Sequence, residues 1–298
     1  MQDQKRPRGR PKSLFKESSA GTLQSLDRAL TILKHVARAE GLTLSDLARA
    51  VDVPTATTHR ILITLQKHGF VTFNEERQEW MIGVEAYRTG AAFLTRNSMI
   101  EIGHPVMRRL MLETGETANL AVRDGAEVVF VDQVETQNPI RAFFSPGSRT
   151  VMYASGAGKA IMANMDEAVL DRLLKPVVLE GFTPNTHTSR ESLRSDLSEI
   201  RARGWSFDRE ERHQGMSCIG AAIFNERGEP AAGISVSGPS ARFAPDRIGE
   251  LGDLVAGAAA EITALSGGTV PDSTEKKLVD YSAARFGSAQ PRRGKWQV

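Results

Sequence analysis

Three short runs of helical spacing, followed at once by two strand-like runs, crowd into residues 24–83, and few folds fit that order into about 60 residues. In the first run Leu26, Ala29, Leu30, Leu33, Val36 and Ala37 recur at three- and four-residue intervals and line one face. Ser25 is its expected N-cap, and Gly41 lies just past its end. A second helix is expected over about 44–51, opened by a capping-box-like pair of Thr43 and Asp46. Asp52-Val53-Pro54 makes a turn. A third helix runs from about Thr55 to His68 with Gly69 at C′, and its Ile61, Leu62 and Leu65 should face the first two. Phe70–Phe73 and Trp80–Gly83 flank a polar stretch, which reads as a hairpin. Together these elements describe a winged helix-turn-helix.

Residues 84–115 read as helical, with breaks expected near 96–98 and at Pro105 and a stop at Gly115. The texture then changes. Strand-like runs appear at Ala118–Val122, Glu127–Val134, Ile140–Phe144, Ser217–Phe224 and Ala231–Ser237. Helical runs appear at about 157–164, 167–174, 189–203 and 245–265. The fold class expected is α+β, an N-terminal winged helix-turn-helix followed by an α/β domain. The boundaries read as a basic arm (1–21), a winged helix-turn-helix (22–83), a linker helix (84–98), a second domain (99–267) and a polar tail (268–298).

Composition narrows the chemistry. One cysteine, Cys218, excludes an internal disulfide and zinc-ribbon or iron–sulfur frameworks. The six histidines are scattered and none falls in an HExxH frame, so neither a metal nor a cofactor is expected. No run approaches the length of a membrane span and no secretory signal opens the chain, which makes a cytoplasmic location the expectation. Net charge is only +2, but it is unevenly spread. Six cations stand against Asp3 in residues 1–16, and the last thirty residues are again net basic, leaving an acidic body. Cationic ends of this kind suit a polyanion, although solvated tails look the same.

Double-stranded DNA is the polyanion that the third helix suggests. A recognition helix offers its first residues to base edges in the major groove. Here those residues are Thr55, Ala56, Thr57, Thr58, His59 and Arg60. Threonine hydroxyls bond phosphates or bases, threonine methyls touch thymine, and arginine grips a phosphate or guanine. An ordinary capped helix has the same spacing. The arm adds Arg8-Gly9-Arg10-Pro11, which resembles an AT-hook: Gly9 lets the backbone lie deep in a narrow minor groove while Arg8 and Arg10 follow its floor.

Several motifs together resemble the IclR family of transcription regulators. They are Ser25-Leu26-Asp27-Arg28-Ala29-Leu30, Thr57-Thr58-His59-Arg60, Ser155-Gly156-Ala157-Gly158-Lys159-Ala160 and Ile234-Ser235-Val236-Ser237-Gly238-Pro239. Trp205–Glu211 and Gly215–Cys218 are similar to the glyoxylate-responsive members. The resemblance spans about Leu23 to Gly267. It implies a GAF-like effector domain, a homodimer or dimer of dimers, and promoter binding controlled by a small carboxylate. Glyoxylate leads, with pyruvate or another small keto or aromatic acid as the alternative. It also implies a pocket in which the amides of Gly156 and Ala157 receive the carboxylate, with Asp208, Cys218, Ser235 and Ser237 as polar ligands. The arm and tail lie outside the family pattern, and Ala142 and Thr150 stand where bulkier apolar wall residues can occur.

The residues suit that role physically. Glycines before a helix let backbone amides converge on an oxyanion. Ser235 and Ser237, two apart on a strand, face one side. Asp208 beside an anion must either take up a proton or accept a bond from a hydrated aldehyde. Cys218 is either a small wall or a thiol that adds reversibly to the aldehyde. Enzyme motifs fail. A P-loop needs glycine at Tyr153 and a hydroxyl at Ala160, GxSxG is broken at Ser237, and the Cys218–His213 spacing proves no contact. No enzymatic activity is expected.

Overall fold

The computed structural model describes residues 23–96 and 98–271, with side chains omitted at 93–98. They form two compact units that part at residues 96 and 97. Arg8 and Arg10, and the arm that carries them, lie outside the described residues.

The first unit opens with α1 (Gln24–Val36). Ser25 is not its cap. The Leu23 carbonyl accepts from the amides of Leu26 and Asp27 at 2.9 and 3.0 Å, which places Ser25 inside the first turn. Asp27 then favours the helix N-terminus by its charge. In α2 (Leu44–Ala50) the Thr43 hydroxyl accepts from Asp46 N and donates to the Asp46 carboxylate at 2.7 Å, a working cap. Helix α3 (Thr55–Lys67) ends as its sequence demands. Gly69 takes φ +73°, its amide reaches Gln66 O, and the Phe70 amide reaches Leu65 O, which is a Schellman closure. Strands β1 (Val71–Asn74) and β2 (Glu79–Ile82) pair antiparallel, with Phe73 opposite Trp80 and their rings 4.8 Å apart. Leu42 and Trp80 bridge the hairpin to the start of the helix-turn-helix. Ile32, Val36, Leu47, Leu62, Val71 and Trp80 fill the core, and α4 (Val84–Arg96) follows.

The second unit is a six-stranded, fully antiparallel sheet between two helical layers. Its strands are β3 (Thr117–Asp124), β4 (Glu127–Val134), β5 (Arg149–Val151), β6 (Ser206–Arg209), β7 (Met216–Phe224) and β8 (Pro230–Pro239), in the order β5-β4-β3-β8-β7-β6. Strand alternation assigns the faces. Leu120, Ile219, Ala221, Ile234 and Val236 pack with α5 (Ser98–Thr114) and α9 (Ile248–Leu265). The alternate residues look toward α6 (Gly156–Ala163), with α7 (Glu167–Leu174) and α8 (Arg190–Arg203) behind it. Helix α6 lies hard against the sheet because glycine meets glycine. A Cβ on Gly220 would come within 2.5 Å of Gly156 C, and one on Gly156 within 2.7 Å of Cys218 Sγ.

Two expectations fail here. Pro105 does not break α5, which runs through it, and Val106, Met107 and Leu110 bury directly after it. Packing outweighs the backbone bond that proline removes. Residues 140–144 are not a strand. The edge beside β4 belongs to β5, and the carbonyls of Ile140 and Ala142 are met by the side chains of Arg242 and Thr117 instead. The segment is pinned by Phe144, which stacks on Phe130 at 4.6 Å.

Candidate functional site: a polar pocket and a DNA-facing helix

Register builds the pocket. Asp208 pairs with Cys218, Cys218 with Ser237, and Gly220 with Ser235. Ile219, Ile234 and Val236 point to the opposite layer, so Asp208, Cys218, Ser235 and Ser237 fall on the α6 face. The α6 N-terminus ends over them. Ser155 caps it by accepting from Gly158 N at 3.1 Å. Ala157 N–H belongs to the first turn and lacks an intrahelical acceptor. The enclosed cavity of about 40 Å³ is lined by Ala157, Asp208, Cys218, Ser235 and Ser237 together. It is roughly three water-sized spheres across its volume. Gly156 lies behind this lining, with its amide bonded toward the Cys218 sulfur.

The donors in this pocket are partly idle. Ser237 Oγ donates to Cys218 Sγ at 3.2 Å and accepts from Asn119 Nδ2 at 3.3 Å. Ser235 Oγ and Thr150 Oγ1 are buried without a hydrogen-bond partner, which costs free energy unless something else supplies one. Asp208 Oδ1 accepts from Glu211 N at 2.7 Å. Burial, reinforced by the Glu211 charge, pushes the Asp208 carboxyl up to about 7 despite that bond. Burial and the neighbouring Asp208 push the Cys218 thiol up to about 11. At neutral pH it is therefore a thiol, and a poor nucleophile toward an aldehyde. His213 lines the same cavity yet makes no bond to it.

Sequence reasoning missed part of the wall. Phe130, Phe144, Arg212, His213 and Met216 also line the cavity; Thr150 lines it as the wall reading expects, whereas Ala142 is buried elsewhere with its carbonyl on Thr117. It also missed what lies behind Asp208. Lys159 is fully buried, and its ammonium donates to Asp196 Oδ2 at 2.7 Å, Glu211 Oε1 at 2.5 Å and Phe207 O at 2.9 Å. Burial alone would raise Asp196, but His187 and Lys159 outweigh it and bring it down to about 2. His187, Asp196 and Glu211 offer ligand atoms within 4.8 Å of one another, a metal-like arrangement. The Lys159 ammonium already sits against both carboxylates, so the chain supplies its own cation there.

On α3, Thr55, Ala56, His59 and Arg60 are exposed and Thr57 is half-buried. Thr58 departs from expectation. It is fully buried with its hydroxyl on Val53 O at 3.3 Å, so it braces the turn and does not face outward. A groove beside this helix brings Arg28 of α1 together with Thr57, Arg60 and Thr64. Arg28 was not among the expected contacts, and it doubles the cationic groups beside the helix.

A winged helix-turn-helix with a cationic face, joined to a unit whose pocket gathers several polar side chains, is the architecture of a DNA-binding transcription regulator. Residues 25–75 match the IclR helix-turn-helix domain, and residues 91–264 match the bacterial transcriptional regulator IclR C-terminal domain. The chain is 46% identical to the HTH-type transcriptional regulator BhcR of Paracoccus denitrificans over 87% of its length and 92% of that protein. It is 40% identical to the transcriptional repressor IclR of Escherichia coli, covering 88% and 96%. The crystal structure of Thermotoga maritima IclR superposes with a TM-score of 0.70 at 31% identity, covering 82% of this chain and 98% of that one. The chain belongs to the IclR family of transcription regulators. Among the described residues, no helix is long and apolar enough to cross a membrane.

Proposed function

We propose that this regulator binds its promoter as a homodimer or dimer of dimers and that a small carboxylate, glyoxylate first among the candidates, changes its grip on DNA. The observation that carries the reading is the set of unused donors around one small cavity: the Ala157 amide, the Ser235 and Thr150 hydroxyls, and an Asp208 carboxyl that holds a proton near neutrality. Donors of this kind suit a carboxylate with an adjacent oxygen. The cavity volume favours glyoxylate or pyruvate over an aromatic acid. Leu23, just before α1, and Leu26 and Leu30 on it are exposed, which favours self-association of the first unit. The effect on DNA is expected to pass through residues 84–115, which join the two units.

Ser235→Ala separates ligand binding from folding. Apart from the Cys218 thiol beside it, the hydroxyl has no partner in the free protein, so its loss should change folding stability by less than about 1 kcal/mol. Affinity for glyoxylate should fall about tenfold by calorimetry, while a gel shift on the promoter without effector stays as in wild type. Unchanged glyoxylate affinity in this variant refutes the pocket assignment. A promoter band that never responds to glyoxylate, pyruvate or small hydroxy acids refutes effector control.

The arm gives an independent expectation. Deleting residues 1–12 should weaken binding several-fold more at operators with A·T flanks than at those with G·C flanks. Equal losses reduce Arg8 and Arg10 to nonspecific charge.

A further inference from the structure

Among the described residues Arg212 is the arginine that lines this pocket; Arg209, beside Asp208, also lies over a ring, that of Phe207, but lines no part of the pocket. Arg212 follows Glu211 on the loop between β6 and β7 and lines the cavity with Met216. Its guanidinium lies over the Phe182 ring, with Cζ 3.8 Å from the centroid. Arg149, Arg194 and Arg242 each pair with carboxylates. Arg212 makes no hydrogen bond and no ion pair among the described residues. The ring contact uses none of its five N–H donors.

The register sets these donors in line. Ser235 sits in the row of Gly220, and Asp208, Cys218 and Ser237 form the next row toward the loop. Met216 lies two residues further along β7, opposite Pro239, and the loop with Arg212 comes beyond it. A strand advances roughly 3.4 Å per residue, so the Ser235 row and the Met216 row are roughly 14 Å apart along the strands, and Arg212, from the loop beyond, lines the same cavity as Ser235. A single carboxylate satisfies one end and leaves the other without its anion. The enclosed volume holds one carboxylate and its α-carbon, and a second anionic group would stand at the mouth.

We propose that Arg212 forms a second anion subsite at the mouth of this pocket, so that short dicarboxylic acids of three or four carbons bind it ahead of the matching monocarboxylates. This rests on reading the pocket as an effector site. A planar guanidinium receives a carboxylate through two parallel hydrogen bonds, which a lysine does not reproduce.

The test uses calorimetry on the full chain with tartronate, glycolate and glyoxylate. Tartronate and glycolate differ by one carboxylate. Wild type should bind tartronate at least about tenfold more tightly than glycolate. In Arg212→Gln that ratio should collapse toward one, with glyoxylate affinity changed by less than about threefold. Arg212→Lys, which keeps the charge, should retain part of the preference. Thermal melts establish that both variants fold. If Arg212→Gln does not fold, the wild-type ratio and Arg212→Lys decide. Equal wild-type affinities for tartronate and glycolate overturn the inference, as does a preference that survives Arg212→Gln. Glyoxylate binding without a tartronate preference sinks this inference alone. No heat with any of the three acids sinks the effector reading with it.

Discussion

Replacing Lys159 by methionine should destabilise the second unit by about 3–5 kcal/mol at pH 7.5, the usual loss when one partner of a buried ion pair is removed. The ammonium is fully buried and donates to two carboxylates and a carbonyl. Methionine fills similar space but leaves Glu211 and Asp196 without the cation between them. Asp196 keeps His187 at 3.4 Å. Glu211, whose pKa burial already raises even with the lysine present, has no other cation so near. Its second oxygen is already buried without a partner.

The pH dependence identifies the cause. A carboxyl with a raised folded pKa favours folding in its protonated form, and that advantage disappears as pH rises through the folded value. Lys159→Met raises the Glu211 value further, so its penalty should be small at pH 5 and grow toward pH 7.5. Lys159→Met combined with Glu211→Gln should recover much of the loss. Urea denaturation at the two pH values checks this. A loss below 1 kcal/mol at both, or one independent of pH, refutes the role given to the triad.

This lysine also marks where the sequence stops being legible. The helical periods of residues 24–68 and the Gly69 stop announced the first unit because each local preference agreed with the packing around it. Strands β4 and β7 were legible from their apolar runs, and β8 from its alternation. Strands β5 and β6 were not, because three or four residues carry no period. Residues 140–144 read as a strand from composition alone, and the missing information was which strand takes the edge. The pocket residues found from motifs do converge, because register places Asp208, Cys218 and Ser237 in one row. Arg212 and the Lys159 cluster depend on contacts between segments 37 to 52 residues apart or on loop paths. Thr58, by contrast, was within reach of the helical period. It lies three and four residues before Ile61 and Leu62, on the face that turns inward, and the Val53 carbonyl meets its hydroxyl there.

Effector affinity should depend on the protonation of Asp208, with binding tight below pH 7 and weakening above it. The free carboxyl titrates at about 7, so at pH 6 it is already protonated and can donate to an oxygen of the bound acid. Bringing an anion beside it raises its pKa again, because the charged form is repelled. Ligand binding at pH 8 must therefore draw a proton from solvent, and linkage weakens the observed affinity by up to about tenfold per pH unit in that range. Calorimetry in buffers of different ionisation heat should count close to one proton taken up per site at pH 8 and almost none at pH 6. Asp208→Asn keeps an oxygen for the Glu211 amide, so folding is preserved. It has nothing to titrate, and its glyoxylate affinity should be flat across this range. The free protein supplies a second readout. Raising the pKa from 3.8 to about 7 favours the protonated fold, and that contribution is lost as pH rises through 7. The variant should thus gain stability over wild type at pH 8 by a few kcal/mol, on the order of 1.4 kcal/mol for each unit of the raised value, about a third of that at pH 5, and almost nothing below pH 3. If wild type binds glyoxylate with the same affinity at pH 6 and pH 8.5 and takes up no proton, Asp208 is not a donor to the effector, and the anion must be held by the helix amides and serine hydroxyls alone.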